Sequence, residues 1–500
     1  MSFARPDTVI GLDIGTTSTI GIAVRPPGEI LHVASKPVTL SSPFPGWAEE
    51  DPAEWWANCV AILKEIVAAL PGGPASLAGL CVTGMLPAVV LLDVDGAVLR
   101  PSIQQSDGRV SAEVDALKAE LDETAFLARA GNGVNQQLVA AKLRWIARHE
   151  PEVFARVATV FGSYDYINFR LTGRRAVEQN WALEAGFTDL ADHKIADDLV
   201  SLAGIARSAV PDRTVTHEQM GTVSAGAAAL TGLPEGLAVF GGAADHIASA
   251  LAAGIAEPGD VLLKFGGAGD IVVAAATATP DPRLYLDYHL VPGVYAPNGC
   301  MAASGSALNW LAGLIGTENG EERPHVALDA LAASVPAGSD GVLCLPYFLG
   351  EKTPIHDPLA RGTFTGLSLS HGKGHLWRSL LEAIAYGFRH HLDVLTEMGH
   401  QPARVFASDG GTKSRIWMQI VADIVGLPVR LLENPYGSSV GAAWVAAIGS
   451  GLATDWSGVS ALARQGDLIS PIDAHRDVYD RGYARYRATY EALKPIFAMP

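Results

Sequence analysis

The chain has 500 residues, of which 49% are hydrophobic and 18% charged, and its formal net charge at pH 7 is −17. This length and composition fit two or three globular domains and exclude a disordered chain. The acidic balance argues against nucleic acid as a partner, because binding a phosphate backbone needs a surplus of lysine and arginine.

The four cysteines are scattered and form no C-x-x-C pair. Neither a zinc knuckle nor a disulfide framework is therefore expected, and a reducing compartment is the default. The first residues lack the long apolar run of a signal peptide, and prolines interrupt the apolar stretch 67–92. We expect a soluble, cytoplasmic protein that has no membrane partner.

The first predicted elements form a β-hairpin. Residues 8–13 are an apolar, β-rich run that ends on Asp13, and residues 20–24 form the return strand. The turn between them contains Gly15, Thr16 and Thr17. Asp13 suits Mg²⁺, which needs only one or two protein carboxylates, but it is equally a residue that begins a turn.

A helix is predicted next. Asp51 is the expected N-cap, the following proline occupies the first turn, Glu54 stands three residues after the cap, and Pro71 ends the helix. Residues 77–92 are apolar and are predicted to be rich in strands.

Near residue 240 the pattern begins again. Residues 237–240 read as a buried strand, and a glycine turn leads through Asp245 into a small-residue helix. The runs 260–265 and 270–275 form two more strands around a turn that contains Gly266 and Gly267. Two such hairpins predict two similar halves, with a cleft between them.

A third glycine turn follows the predicted strand 404–408. It contains Gly410, Gly411 and Thr412 and leads into a helix. Phosphates bind at turns of this kind because backbone N–H groups and the helix dipole face them, although any α/β fold uses the same connection.

The last segment carries a tyrosine stripe at helical spacing, among arginines. Such a stripe stacks on nucleic acid bases or packs against the protein body, and the acidic composition favours packing. The stripe consists of Tyr479, Tyr483, Tyr486 and Tyr490.

The absence of several motifs limits the classes of nucleotide-binding protein to which the chain could belong. The sequence has no G-x-x-x-x-G-K-[ST], no G-x-G-x-x-G at a strand–helix junction and no H-R-D loop. P-loop enzymes, Rossmann dehydrogenases and protein kinases are therefore disfavoured. Phosphoryl transfer from ATP remains compatible with the sequence. In that reaction Asp245, at the end of a predicted strand, would act as the base. Alternatively, Asp245 is a helix N-cap.

Motifs along nearly the whole chain resemble those of the FGGY carbohydrate kinases, in particular the xylulokinase-like branch. The similar segments are Ile10–Thr17, Trp47–Trp56, Asp107–Arg109, Asp165–Gly173, Gly241–Asp245, Pro346–Pro354 with Asp357–Gly362, and Gly410–Ser414 with Trp417 and Gln419.

This resemblance implies an α/β, actin-like (ribonuclease-H-like) fold of two domains, which we expect at residues 1–237 and 238–500. It also implies transfer of the γ-phosphate of ATP to a sugar or polyol hydroxyl, with Asp245 as catalytic base and Asp13 positioning Mg²⁺. The glycine turns would hold ATP through Gly15, Thr16, Thr17, Gly266, Gly267, Gly410, Gly411 and Thr412.

The sequence departs from the family pattern at the sugar-side positions. Leu86 and Pro87 replace a Met-His pair, Gln105 replaces a tryptophan, and His246 replaces Asn or Gln. We expect these residues to face the substrate, with His246 either bonding a hydroxyl or packed. Asp107 and Arg109 either contact the sugar or pair with each other.

The phosphate-side positions also differ. Ile20 stands where relatives often carry Lys or Arg, and Gly267-Ala268 replaces a Thr-Ser pair. Either ATP binds more weakly or Lys264 or Lys413 compensates.

The leading hypothesis is a sugar or polyol kinase, with a xylulose-like ketose as acceptor. The alternatives are a kinase for another ketose, a polyol or a sugar acid, a non-catalytic nucleotide- or sugar-binding relative, and an actin- or chaperone-like ATPase. A symmetric homodimer is the default expectation.

Overall fold

A computed structural model describes residues 5–316, 324–433 and 437–499. Within these residues the chain forms two compact units, and each is assembled from separate segments. The first unit contains residues 5–256, 276–296 and 437–463; the second contains 257–275, 297–316, 324–433 and 464–499. The units therefore differ from the two continuous domains predicted to meet at residues 237/238, because two later segments pack with the first unit.

The first unit is built on a mixed sheet. Its neighbouring strands are, in order, Gln219–Thr222, Ala238–Phe240, Leu77–Gly84, Thr8–Ile14, Ser18–Arg25 and Glu29–Pro37. Thr8–Ile14 pairs antiparallel with Ser18–Arg25 and parallel with Leu77–Gly84, which confirms the predicted hairpin and strand region. The short strand Ala243–Ala244 also lies parallel to Leu77–Gly84.

Shorter strands and eleven described helices complete the first unit. The strands are Glu49–Glu50, Val90–Leu92, Ser102–Ile103, Thr159–Phe161, Val177–Glu178, Thr188–Asp189, Lys194–Ile195, Arg213–Thr214 and Tyr285–Tyr288. The helices are Pro52–Ala69, Ser111–Glu120, Glu123–Ala130, Val139–His149, Pro151–Phe154, Ser163–Thr172, Gln179–Glu184, Asp197–Ser201, Ala225–Thr231, Asp245–Ala252 and Gly437–Gly449.

The second unit repeats this strand arrangement. Its neighbouring strands are, in order, Tyr295–Met301, Gly269–Val273, Asp260–Phe265, Arg404–Ser408, Val429–Glu433 and Arg464–Ile469. Asp260–Phe265 pairs antiparallel with Gly269–Val273 and parallel with Arg404–Ser408, as the corresponding strands do in the first unit. The duplicated hairpin predicted from the glycine turns is confirmed.

The remaining strands of the second unit are Leu343–Leu345 and Thr363–Thr365. Its described helices are Gly305–Ile315, Pro324–Ala333, Lys373–Glu397, Arg415–Val425 and Arg476–Phe497.

Two helix predictions are confirmed, one with a correction. The Asp51 carboxylate caps the helix Pro52–Ala69 by accepting from the Ala53 N–H at 2.8 Å. Glu54 does not complete a capping box, because its carboxylate accepts from the N–H and hydroxyl of Thr39, both at 3.0 Å. In the last helix all four stripe tyrosines are buried, so the stripe packs against the protein body.

The helix Gly437–Gly449 lies directly against the strand Thr8–Ile14 of the first unit. A Cβ on Gly11 would stand 2.0 Å from the Ser439 carbonyl oxygen and 2.6 Å from the Ala443 nitrogen. Only glycine therefore allows this close approach. The contact brings the start of this helix to the end of the strand where Asp13 lies.

None of the helices within residues 5–316, 324–433 and 437–499 combines the length and the apolar character that crossing a bilayer requires.

Candidate active site

Asp13 and Asp245 lie at the same edge of the first-unit sheet. Asp13 pairs with Thr83 on the parallel strand Leu77–Gly84. On the other side of that strand, Ala243 pairs with the same Thr83, whose hydroxyl donates to the Ala243 carbonyl at 2.8 Å. Asp245 follows directly and begins its helix. Carboxyl ends of parallel strands are where α/β sheets bind ligands.

Asp13 is held from a distant part of the first unit. The Ser438 hydroxyl, near the start of the helix Gly437–Gly449, donates to Asp13 Oδ2 at 2.6 Å. Asp13 is 8% exposed. A carboxylate that accepts such a bond offers the oxygen ligands that Mg²⁺ prefers, so this residue fits the metal role.

The first glycine turn is short and partly exposed. The Gly15 N–H donates to the Ser18 carbonyl at 3.1 Å, and the Thr17 carbonyl accepts from the Val38 N–H at 3.0 Å. The Thr16 hydroxyl lies 3.7 Å from the Met85 sulfur. The turn lies beside Asp13, as the sequence predicts.

His246 is enclosed by carboxyl groups. Its Nε2 lies 2.9 Å from Asp287 Oδ2 and its Nδ1 lies 3.3 Å from Asp245 Oδ1. Burial by itself would lower the pKa of His246, but the contacts with Asp245 and Asp287 outweigh it and raise the pKa well above the ordinary value. Burial, followed by the charge of Asp287, raises the pKa of nearby Glu184.

Ligand atoms of Glu184, His246 and Asp287 lie within 4.8 Å of one another. Both imidazole nitrogens already face carboxylates, Nδ1 that of Asp245 and Nε2 that of Asp287. We therefore interpret these residues as a hydrogen-bonded cluster.

The predicted sugar-side residues lie on segments joined by a buried lysine. Leu86 and Pro87 are buried. Lys142 Nζ donates to the carbonyls of Pro87 at 3.0 Å and Gln104 at 2.9 Å. Burial lowers the pKa of Lys142 to about 7. The neighbouring Gln105 amide oxygen accepts from the Gln137 side chain at 3.3 Å.

Asp107 and Arg109 form a buried ion pair. The Arg109 guanidinium donates to both carboxylate oxygens of Asp107, at 2.8 and 2.7 Å, and lies 2.8 Å from Glu49. Its centre lies 3.6 Å from the centroid of the Trp47 ring. Of the two interpretations given for this pair, the geometry favours mutual pairing. Burial opposes ionisation of Asp107, but hydrogen bonds from Arg109 and the Ala48 N–H prevail and lower its pKa.

In the second unit, two glycine turns follow adjacent parallel strands. Gly266 and Gly267 come after Asp260–Phe265, and the turn with Gly410, Gly411 and Thr412 comes after the neighbouring strand Arg404–Ser408. A Cβ on Gly411 would stand 2.5 Å from Phe265 Cβ, whereas one on Gly267 or Gly410 meets nothing within 4 Å. The structure thus brings these predicted nucleotide-binding turns together.

Lys264 and Lys413 flank these turns. Lys264 pairs in register with Ser408, one residue before the end of its strand. Lys413 is exposed at the end of the third turn. The helix after this turn is capped by Ser414, whose hydroxyl accepts from the Trp417 N–H at 3.2 Å.

Four residues near these sites escaped the sequence analysis. They are Lys142, Glu184, Asp287 and Ser438. Only Lys142 left a signal, because its spacing puts it on the same helical face as Val139 and Ile146 in the helix Val139–His149. The other three gain their roles from tertiary contacts with residues far away in sequence.

Models of the FGGY family of carbohydrate kinases match both parts of the chain. The N-terminal domain model matches residues 8–252 and the C-terminal domain model matches residues 266–450. The chain belongs to the FGGY family of carbohydrate kinases, and it is a sugar kinase with the two-domain, actin-like fold of that family. The family implies ATP as a substrate.

Individual relatives agree. The crystal structure of xylulose kinase from Rhodospirillum rubrum is 65% identical in sequence, with a TM-score of 0.95 over 98% of this chain and 100% of that chain. Xylulose kinase from Staphylococcus epidermidis is 29% identical over 98% of both chains. Xylulose kinase from Escherichia coli is 30% identical over 88% of both chains.

Proposed function

We propose that this protein transfers the γ-phosphate of ATP to a hydroxyl of a xylulose-like ketose in the cytoplasm, with Asp245 as the general base. The observation that carries the proposal is the placement of Asp13 and Asp245 on either side of one strand end, at the sheet edge where ligands bind. The similarity to xylulose kinases supports the substrate class.

Asp245 suits the role of base. About a third of its side chain, 35%, is exposed, so an acceptor hydroxyl has access to the carboxylate. The residue begins the helix Asp245–Ala252, and its Oδ1 accepts from the His246 N–H at 2.6 Å. A base in this position would accept the hydroxyl proton as the hydroxyl oxygen attacks phosphorus.

Asp13 would hold Mg²⁺, which when bound neutralises charge on the transferred phosphoryl group. Ser438 orients the Asp13 carboxylate for this task. Backbone N–H groups of the three glycine turns would hold the phosphates. Because Gly267 replaces a residue with a hydroxyl, we propose Lys264 as the compensating cation of the second turn.

The charges of the first unit favour a neutral acceptor over a sugar acid. Asp245 and Asp287 flank His246, whose imidazole already faces both carboxylates. Arg109 is already paired with Asp107 and Glu49. A substrate carboxylate next to Asp245 would therefore meet like charges, which is costly at a partly buried site.

The test is ADP release from Mg-ATP in the presence of ketopentoses, tetruloses, polyols and sugar acids. We expect the largest kcat/KM for a neutral ketose, with xylulose tested first. Asp245→Asn should lower kcat by at least about 100-fold, the lower end of the effect of a positioned general base.

Two results would contradict the proposal. A loss below about threefold in Asp245→Asn would place the base elsewhere. Faster turnover of a sugar acid than of any neutral sugar would overturn the acceptor class. The matched control is Asp260→Asn in the second unit, which removes a carboxylate bound to Arg404 at 2.6 Å and is expected to leave acceptor preference unchanged. Light scattering would test the expected homodimer.

A further inference from the structure

His246 connects the proposed base to the interior of the first unit. Its Nδ1 faces Asp245 Oδ1 at 3.3 Å and its Nε2 faces Asp287 Oδ2 at 2.9 Å. The Asp287 side chain is completely buried, with 0% exposure, whereas that of Asp245 is 35% exposed. The imidazole thus bridges an inaccessible carboxylate and an accessible one.

Two asparagine side chains fix the strand that carries Asp287. The Asn132 amide donates to the Leu286 carbonyl and accepts from the Leu286 N–H, both at 2.9 Å. The Asn180 amide binds the backbone of Tyr288 in the same way, at 3.0 and 2.7 Å. The two amides hold the backbone immediately before and after Asp287, which positions its carboxylate.

The surrounding charges favour an imidazolium. His246 faces Asp245 on its own helix and Asp287 on the strand Tyr285–Tyr288. It also lies near Glu184, the last residue of the helix Gln179–Glu184. Burial and the neighbouring Asp287 raise the pKa of Glu184, which favours its neutral form beside the Asp287 carboxylate. The charge of Lys142 acts on Glu184 in the opposite direction.

Other elements of the first unit also pack against the helix that carries His246. The helix Gly437–Gly449, the short 3-10 helix Trp456–Ala461 and the strand Ala243–Ala244 have no ionisable side chain. The strand Leu77–Gly84 has only Cys81, whose thiol pKa is raised by burial. None of these elements therefore brings a charge that competes with the pairing of His246 and its carboxylates.

We infer that His246, anchored by Asp287, is a positioning residue that orients the Asp245 carboxylate and keeps it ionised for proton acceptance. The inference rests on the proposed role of Asp245 as the base. It assigns the imidazole a task that an amide at this position performs only in part, because asparagine donates a hydrogen bond without carrying a positive charge.

The first test is His246→Asn, with kcat, both KM values and the pH profile of kcat/KM measured on the full chain. We expect kcat to fall about tenfold while KM for ATP stays unchanged. Loss of the nearby positive charge should also move the acid limb of the profile upward by about one pH unit. A merely structural role would not move this limb.

A double-mutant cycle tests the link to Asp287. We expect Asp287→Asn to change kcat and the acid limb in the same direction, and the double variant to be no worse than His246→Asn alone. His193→Asn is the matched control, because His193 contacts Tyr288 on the same strand, with Nδ1 2.8 Å from the hydroxyl oxygen. We expect it to leave kcat and the pH profile unchanged.

A measurement on the wild-type protein tests the inference even if a variant folds poorly. NMR titration of the wild-type protein should give a His246 imidazole pKa above the ordinary value of about 6.5. An imidazole that is neutral at pH 7, or a His246→Asn variant with full kcat and an unmoved profile, would overturn the inference. If instead the wild type shows no acceptor-dependent turnover, the proposed function fails and not this inference alone.

Discussion

The two sheets share one hairpin plan but carry opposite charges at its end. Asp13 stands one residue before the end of Thr8–Ile14 and pairs with Thr83 on the parallel neighbour. Lys264 occupies the corresponding position of Asp260–Phe265 and pairs with Ser408. The same backbone therefore places a carboxylate in one unit and an ammonium group in the other.

The two units thus offer different groups to phosphoryl transfer. A carboxylate suits a metal ion, and a lysine suits phosphate oxygens. The turn sequences follow the same division. The first turn keeps the hydroxyls of Thr16 and Thr17, whereas the second has glycines that leave only backbone N–H groups and the adjacent Lys264.

The largest effect is expected on the carboxylate side. Asp13→Ala should lower kcat/KM by about 100-fold or more and raise the Mg²⁺ concentration needed for half-maximal rate, because a metal contributes several kcal/mol to such reactions. Mg²⁺ titration of the ATP-dependent rate measures this. Asp7→Ala, which removes a carboxylate paired with Arg25 just before the same strand, is the control. An unchanged Mg²⁺ titration in Asp13→Ala would refute the metal assignment.

The next largest effect is expected on stability, at two neighbouring glycines of the second unit. Gly411→Ala would place its Cβ 2.5 Å from Phe265 Cβ and 2.6 Å from the Trp417 ring, so the strand end and the helix would have to separate. We expect a loss of about 2 kcal/mol in the free energy of unfolding. Gly410→Ala, whose Cβ meets nothing within 4 Å, is the matched control. Equal denaturant midpoints for the two variants would contradict this packing.

The cation of the second unit should matter less than the carboxylate of the first. Lys264→Met is expected to raise KM for ATP about tenfold, the worth of one charge-assisted hydrogen bond, while KM for the sugar stays unchanged. Steady-state kinetics with each substrate varied in turn measure both constants. Lys373→Met is the control, because Lys373 is an exposed lysine of the same unit. A rise in KM in Lys413→Met alone would move the role to Lys413.

The smallest effect concerns the lysine buried in the first unit. Burial lowers the pKa of Lys142 from 10.5 to about 7, so between these values the unfolded chain binds more protons than the folded one. Stability from this group therefore rises with pH over that window and is reduced below it. Lys142→Met should remove a rise of about 1 kcal/mol between pH 7 and pH 8.

Urea unfolding at both pH values, with wild type and variant compared, isolates this contribution from other titrating groups. Lys118→Met is the control, because the Lys118 side chain is 43% exposed. If wild type and Lys142→Met change equally between the two pH values, Lys142 is charged in the folded protein.

Local patterns predicted much of the fold. The hairpin around Gly15 and the cap at Asp51 were readable because their signals lie within a few residues. The sequence also placed Asp13 and Asp245 at strand ends. It did not predict that Ser438 holds Asp13 or that Asp287 holds His246, because these contacts join segments distant along the chain. The discontinuous units escaped prediction for the same reason.

The bond between Asp13 and Ser438 joins positions 425 residues apart, and the helix Gly437–Gly449 covers the strand that carries Asp13. During synthesis this strand leaves the ribosome long before the helix Gly437–Gly449 has been made. Until then the unfinished chain exposes an apolar face of the sheet, which favours aggregation. A fragment ending after residue 252 would keep that exposed face permanently. The two units also cannot be separated by cleaving the chain at one position, since the chain passes between them more than once.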